Sequence, residues 1–244
     1  MGAIILFVAV IAAIVAWWLA RQKLTSKPWL EEGVIGEVPG VAASPTSQAK
    51  VGLGVFLAVV GSLFVLLISA YSMRMQAPDW RSLPVPDLLW LNTAILVLSS
   101  IALQWAQVAA KHGQTRRGQL DDVKIGLLAG AAFALMFLVG QVLVWRQLTA
   151  AGYLLATNPA NAFFYLMAGL HALHLCGGLV ALGRTAAKVW QEGHRPDWIS
   201  GRIRLSVGLC AAYWHFLLFV WLIVLSMLTG WVEDVLVICG RLFS

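Results

Sequence analysis

Six apolar runs alternate with short polar connections along the chain, and each run is long enough to cross a bilayer as a helix. They cover Ala3–Ala20, Val51–Tyr71, Leu88–Ala110, Ile125–Trp145, Ala162–Leu182 and Leu205–Leu228. The connections hold the residues that stop helices. Pro78, Pro84 and Pro86 demand an extended path between the second and third runs. Gly152, Asn158 and Pro159 turn the chain between the fourth and fifth. The stretch GVAASPTSQAK before Val51 has loop composition. The first run ends in Trp17 and Trp18 and then Arg21, a membrane-interface signature. No basic residue precedes it, so it is expected to be a retained helix and not a cleaved signal. Beyond the last run, Trp231, Val235 and Cys239 recur at helical intervals and suggest an interfacial helix. The pattern predicts an all-α integral membrane protein with six transmembrane helices, no internal repeat and no soluble domain. Its parts are an N-terminal transmembrane helix (1–21), a cytoplasmic linker (22–50), a five-helix bundle (51–230) and an interfacial tail (231–244).

The fifth run is the most marked. At helical spacing Ala168, His171, His174, Gly178 and Ala181 fall on one stripe, with Gly177 at its edge and Leu166 and Leu173 opposite. Small residues let a neighbouring backbone approach closely, and imidazoles can hydrogen-bond across such a contact. The stripe is therefore expected to face protein. A second marked segment, Tyr213-Trp214-His215-Phe216 followed by Trp221, lies in the last run.

Composition narrows the function. The chain is 60% hydrophobic and only 11% charged, far outside soluble averages. No Asp, Glu, Lys or Arg lies inside an apolar run. Pumps, ion-coupled transporters and voltage sensors keep ionisable groups at membrane depth, so a self-sufficient machine of that kind is excluded. The net charge of +6 does not point to nucleic acid, because the basic residues cluster in loops, where anionic lipid is the natural partner. The loops after the first, third and fifth runs carry thirteen Lys and Arg, against four on the opposite side. That asymmetry places both termini outside the cytoplasmic membrane. Cys176, Cys210 and Cys239 lack metal-site spacing; the first two lie in apolar runs and are expected to be small buried hydrophobes.

His171, His174 and His215 are the only ionisable groups at depth. A transmembrane dihaem site needs two facing histidine pairs, and a zinc or copper site needs further converging ligands. Neither set is present in the sequence, so no metal and no haem are expected in this chain. Interhelical hydrogen bonding is the simpler role for these three, with Asn92 and Gln141 as the matching amides. With no carboxylate in any span, His171 and His174 are expected to be neutral and to bond hydroxyls or carbonyls of neighbouring helices. Ser99, Ser100, Gln141 and Tyr213 are the candidates, with a lipid headgroup as an alternative for His174.

GLHALHLCGGL (Gly169 to Leu179), followed about one helix later by YWHF and VW, resembles subunit III of the haem-copper respiratory oxidases. Two earlier fragments extend the likeness. LPVPDLLWLNTAILVLSSIALQWA (Leu83 to Ala106) is similar to the third-helix region of the short bacterial form, and FLVGQVLVWRQL (Phe137 to Leu148) to the next helix. The likeness covers residues 50 to 230. It implies a subunit III-like bundle in a bacterial inner-membrane oxidase, with no catalytic residue of its own. Haem and copper would lie in partner subunits I and II, and a respiratory supercomplex is a further implied partner. It also implies bound phospholipid and a part in proton uptake and turnover stability. The family's second motif histidine corresponds to His174, and a lipid-contacting basic residue corresponds to Lys188; charge and depth add Arg184. The alternatives are a nitric-oxide-reductase-associated homologue and a stand-alone assembly factor.

The chain departs from the family pattern in places. One helix stands before the bundle where many members have two. The family's buried glutamate in FLASE is replaced within Phe56-Leu57-Ala58-Val59-Val60, and the aspartate after WHF is Leu218. Glutamates found elsewhere in the family align with Val144 and Gly208. Roles attributed to those acids cannot operate here. The predicted orientation is tested with an impermeant thiol reagent on intact cells. A cysteine at Ser244 should react and one at Gln114 should not; the reverse result overturns the orientation.

Overall fold

The computed structural model describes residues 45–112, 119–192 and 200–230. Five helices account for nearly all of them: α1 (Pro45–Arg74), α2 (Leu88–His112), α3 (Gln119–Ala150), α4 (Pro159–Glu192) and α5 (Gly201–Leu228). All five are long and apolar enough to span a membrane. The expected first helix at Ala3–Ala20 and the expected interfacial tail lie outside the described residues.

The helices are longer than their apolar runs. Pro45 opens α1 six residues before Val51, because proline lacks only an N–H that has no partner in a first turn anyway. The end of GVAASPTSQAK is therefore helical. At the other boundary α4 runs ten residues past Leu182. Arg184 and Lys188, expected in a basic loop, are thus helical and exposed. Good helix formers such as Ala186, Ala187 and Lys188 continue the turn, and Thr185 and Val189 still bury against the bundle.

One spacing organises the packing. On α2 the buried residues include Leu89, Asn92, Leu96, Ser99, Leu103, Ala106 and Ala110; on α3 Val123, Leu127, Ala134, Phe137, Gln141, Val144 and Leu148. On α4 the row is Asn161, Phe164, Ala168, His171, Leu175, Gly178, Leu182, Thr185 and Val189. On α5 it is Ile203, Val207, Cys210, Trp214, Leu217, Trp221 and Val224. Each row advances in alternating steps of three and four (across Gly130 on α3), the 3.5-residue repeat of left-handed helix pairs. The two most extensive partners are α2 and α3, while α5 touches α2, α4 and α1.

Glycine sets the closest approaches. A Cβ on Gly126 would lie 2.8 Å from the Ala106 Cβ, and one on Gly178 would lie 2.6 Å from the Tyr213 ring. Gly140 is tighter still, because a Cβ there would run into Asn92 Oδ1.

α1 is held differently. Near its C-terminal end Tyr71 stacks edge-on against Trp80, with ring centres 4.9 Å apart, and against Phe163 at 5.7 Å. Val60 and Phe64 continue this small core against Met167, Val220 and Val224. Nearer its start the helix is largely exposed, at Val51, Val55, Phe56 and Val59. The loop after α1 is tied by an ion pair between Arg74 and Asp79. The Arg74 guanidinium holds the Asp79 carboxyl below its ordinary value, so this tie persists at neutral pH and is lost only as pH falls through that lowered value. Across the same side, the Asn158 amide donates to the Arg81 carbonyl and the Tyr165 hydroxyl donates to the Tyr153 carbonyl at 2.9 Å.

Gly140→Ala and Gly183→Ala should therefore act in opposite directions. The first forces the Asn92 amide off its bond to Gln141 and is expected to cost about 1–3 kcal/mol. Gly183 meets nothing within 4 Å, so alanine there removes only backbone freedom and is expected to stabilise by roughly 0.5–1 kcal/mol. Thermal unfolding in detergent, followed by tryptophan fluorescence, measures both.

Candidate functional site

The polar side chains at depth form separate contacts, not one network. Asn92 on α2 donates from Nδ2 to Gln141 Oε1 on α3 at 3.2 Å. His171 on α4 is fully buried and its Nε2 donates to the Leu217 carbonyl on α5 at 3.1 Å. That carbonyl was among the expected kinds of partner, but none of Ser99, Ser100, Gln141 or Tyr213 bonds the ring. The ring packs between Phe137, at 5.7 Å, and Trp221, at 4.9 Å, and its Nδ1 is buried without a partner. A charged imidazole would carry a second N–H facing those aromatic walls with no acceptor, so the geometry suits the neutral ring with its hydrogen on Nε2.

His174 behaves otherwise. It is half-buried, and its Nδ1 donates to the Leu170 carbonyl of its own helix at 2.7 Å. It crosses to no neighbouring hydroxyl; the Tyr213 hydroxyl bonds the His174 backbone carbonyl at 2.8 Å instead. His215 joins α5 to α2 through Ser100 and, at 2.9 Å, Gln104 Oε1.

Sequence reasoning overlooked the two indoles that bolt α5 to α2. Trp214 Nε1 donates to Ser99 Oγ and Trp221 Nε1 to Thr93 Oγ1, both at 3.0 Å. Ser99 Oγ in turn donates to the Gly130 carbonyl at 2.7 Å, so one hydroxyl joins three helices. The signal available was an unpaired indole N–H inside an apolar run, which demands an acceptor on a neighbour. Trp145, at the end of the fourth apolar run, turns its indole nitrogen inward, where it is buried without a partner.

The predicted stripe on α4 needs one correction. Ala168, His171 and Gly178 are buried and Leu166 and Leu173 exposed, as expected, but the inner row passes through Leu175 and Leu182. His174, Gly177 and Ala181 form a second row beside it, which continues through Arg184 and Lys188 in the same alternating steps. The first part of this row, His174, Gly177 and Ala181, lies in one wall of a groove of about 620 Å³. Leu53 and Phe56 of α1 form the opposite wall, and Leu209, Cys210 and Tyr213 of α5 form the floor. Cys176, expected to be buried, is exposed along this groove, whereas Cys210 is buried. Because His174 Nδ1 carries the hydrogen given to Leu170, its Nε2 is left as an acceptor on an otherwise apolar wall. Arg184 lies one turn beyond Ala181, roughly 4.5 Å along the axis, and Lys188 roughly 10 Å.

Residues 48–233 match the model of the family described as cytochrome c oxidase subunit III. The chain belongs to the cytochrome c oxidase subunit III family. Cytochrome c oxidase subunit 3 of Thermostichus vulcanus is 30% identical over 184 residues, covering 72% of this chain and 84% of that protein. The subunit of the same name from Synechocystis sp. is 28% identical over 195 residues, covering 77% of each. Subunit 3 of the cytochrome bo(3) ubiquinol oxidase of Pseudomonas aeruginosa is 24% identical over 180 residues, covering 72% and 81%. The family match begins close to the start of α1 and spans all five described helices. The two sequence fragments that carried the resemblance most strongly lie on α4 and α5, which pack directly against each other.

Replacement of His171 separates packing from hydrogen bonding. His171→Gln keeps an N–H for the Leu217 carbonyl and should retain most stability. His171→Leu should lower it by about 0.6 kcal/mol, and by no more than roughly 1.7, measured as the midpoint of thermal unfolding in the same detergent.

Proposed function

We propose that this chain is the non-catalytic subunit III of a bacterial haem-copper terminal oxidase. In this reading it is a multi-pass protein of the cytoplasmic membrane with both termini periplasmic. It packs beside catalytic subunit I and subunit II, which hold the haem and copper, and it supports assembly, proton uptake and stability during turnover. Membership of the subunit III family supports the setting.

The observation that carries the role is the groove between α1, α4 and α5 with its basic margin. Its walls are apolar, which suits an acyl chain. Arg184 and Lys188 stand above it on the same face of α4, where a phosphate can be met by one or both cations. From Arg184 down to His174 is roughly 15 Å along the helix, about the depth of one hydrocarbon leaflet. A phospholipid seated there would fill a gap that protein does not fill, and would hold α1 to the bundle. In this reading His174 lines the wall beside the acyl chain, and Arg184 and Lys188 are two cations at the headgroup.

Two measurements on the purified oxidase test this. Deleting the chain should leave the haem spectrum unchanged while activity declines faster during continuous turnover; loss of the haem signal from an otherwise assembled complex counts against an accessory role. The Arg184→Ala, Lys188→Ala double variant should lose co-purified anionic phospholipid by mass spectrometry, and the wild-type amount of lipid would refute the headgroup assignment.

A further inference from the structure

His215 sits at the middle of α5 and Gln104 four residues past the middle of α2, roughly 6 Å along the axis. Both are therefore well inside a hydrocarbon half-thickness of about 15 Å, yet both side chains are exposed on the outer surface of the bundle. Between them runs a directed chain. Gln104 Oε1 can only accept, so His215 Nε2 carries the hydrogen of the 2.9 Å bond. His215 Nδ1 is then an acceptor, and the Ser100 hydroxyl donates to it. The chain ends on the Gln104 amide nitrogen, whose two N–H groups have no acceptor among the described residues.

Lipid cannot supply that acceptor. Ester and phosphate oxygens lie at the edge of the hydrocarbon, and an unsatisfied donor within it is costly. The outer face of α3 shows what a lipid-facing surface looks like in this chain: Ile125, Leu128, Leu135, Met136, Val139, Val142 and Leu143, without a polar side chain. Beside His215, by contrast, Ala212 is exposed and Gly208 half-exposed. Two small residues four apart allow another helix backbone to come close. Ile101 and Phe219, both exposed, give that approach an apolar border.

We propose that the α2/α5 face centred on Gln104 and His215 docks a transmembrane helix of a partner subunit that presents a hydrogen-bond acceptor at mid-membrane depth. This rests on the reading above that the chain works inside a multi-subunit complex, and it identifies the face by which it is held. The acceptor is a hydroxyl, a carboxylate or a backbone carbonyl freed by a helix irregularity. Ser100 and His215 fix the direction in which Gln104 offers its amide.

The intact complex, purified in mild detergent, provides the test. Benzoylphenylalanine in place of Ile101 should photo-crosslink to a different subunit, whereas the same probe in place of Val139 should not. Gln104→Leu should lower the amount of the chain retained in the complex after detergent washing by roughly three- to eighteenfold, the range of one lost interhelical hydrogen bond. The sign is decisive, because leucine on a lipid-facing surface would be neutral or favourable. Extraction of the Gln104→Leu chain from membranes at the wild-type level confirms that it folds. Unchanged or higher retention, or cross-links from Val139 and not from Ile101, overturn the docking face and leave the accessory-subunit reading standing. A cross-link to a second copy of the chain overturns the heterologous partner. Recovery of the chain in no complex at all overturns both readings.

Discussion

Inside hydrocarbon a polar side chain has only protein to bond to, and that constraint shapes the bundle. Most of the buried polar residues lie on the rows that helices turn toward one another: Asn92 and Ser99 on α2, Gln141 on α3, Asn161, His171 and Thr185 on α4, with Thr93 and Ser100 beside the α2 row. Because those rows advance by three and four, polar and small residues meet in layers, and each layer fixes a rotation. Asn92 against Gly140 is the firmest example, since the amide fills the space that any side chain at position 140 would need. The apolar members fill the volume; the polar members decide which of many similar apolar packings is chosen. Individual bonds of this kind are weak, so their effect is on selectivity more than on total stability.

Much of the fold was legible because hydrocarbon thickness imposes a run length that composition reveals directly. Among the described residues all five apolar runs lie on helices long enough to span a membrane, and the proline-rich connection between Arg74 and Leu88 is non-helical. What run length could not show was where a helix ends after its apolar character fades. Arg184 and Lys188 looked like loop residues because of their charge, although Thr185 and Val189 carried the packing repeat past them. A repeat of three and four was the better guide there than hydropathy.

The site was legible in type and less so in pairing. His171, Asn92 and Gln141 were identifiable as interior hydrogen-bonding groups, since amides and imidazoles are rare inside apolar runs. Which atoms meet depends on helix rotation, and a turn of one residue carries a side chain about 100° around the axis. Three residues amount to about 300°, so His174, which folds back on Leu170 and faces the groove, stands roughly 60° around the axis from His171, which crosses to α5. Helix rotation also hid Gln104, which reads from sequence as one polar residue among several near the end of a span.

The aromatic clamp at one end of α1 has a consequence for how this helix can change. Tyr71, Trp80 and Phe163 anchor the C-terminal end, while Val51, Val55, Phe56 and Val59 look outward over much of the remainder. Substitutions at the anchored end must satisfy fixed neighbours, as in any protein interior. At the open end the judge is a fluid whose chain length and saturation vary with growth conditions. One helix thus answers to two different solvents along its length, and the part of the sequence able to follow the composition of the membrane is the part the protein itself holds least.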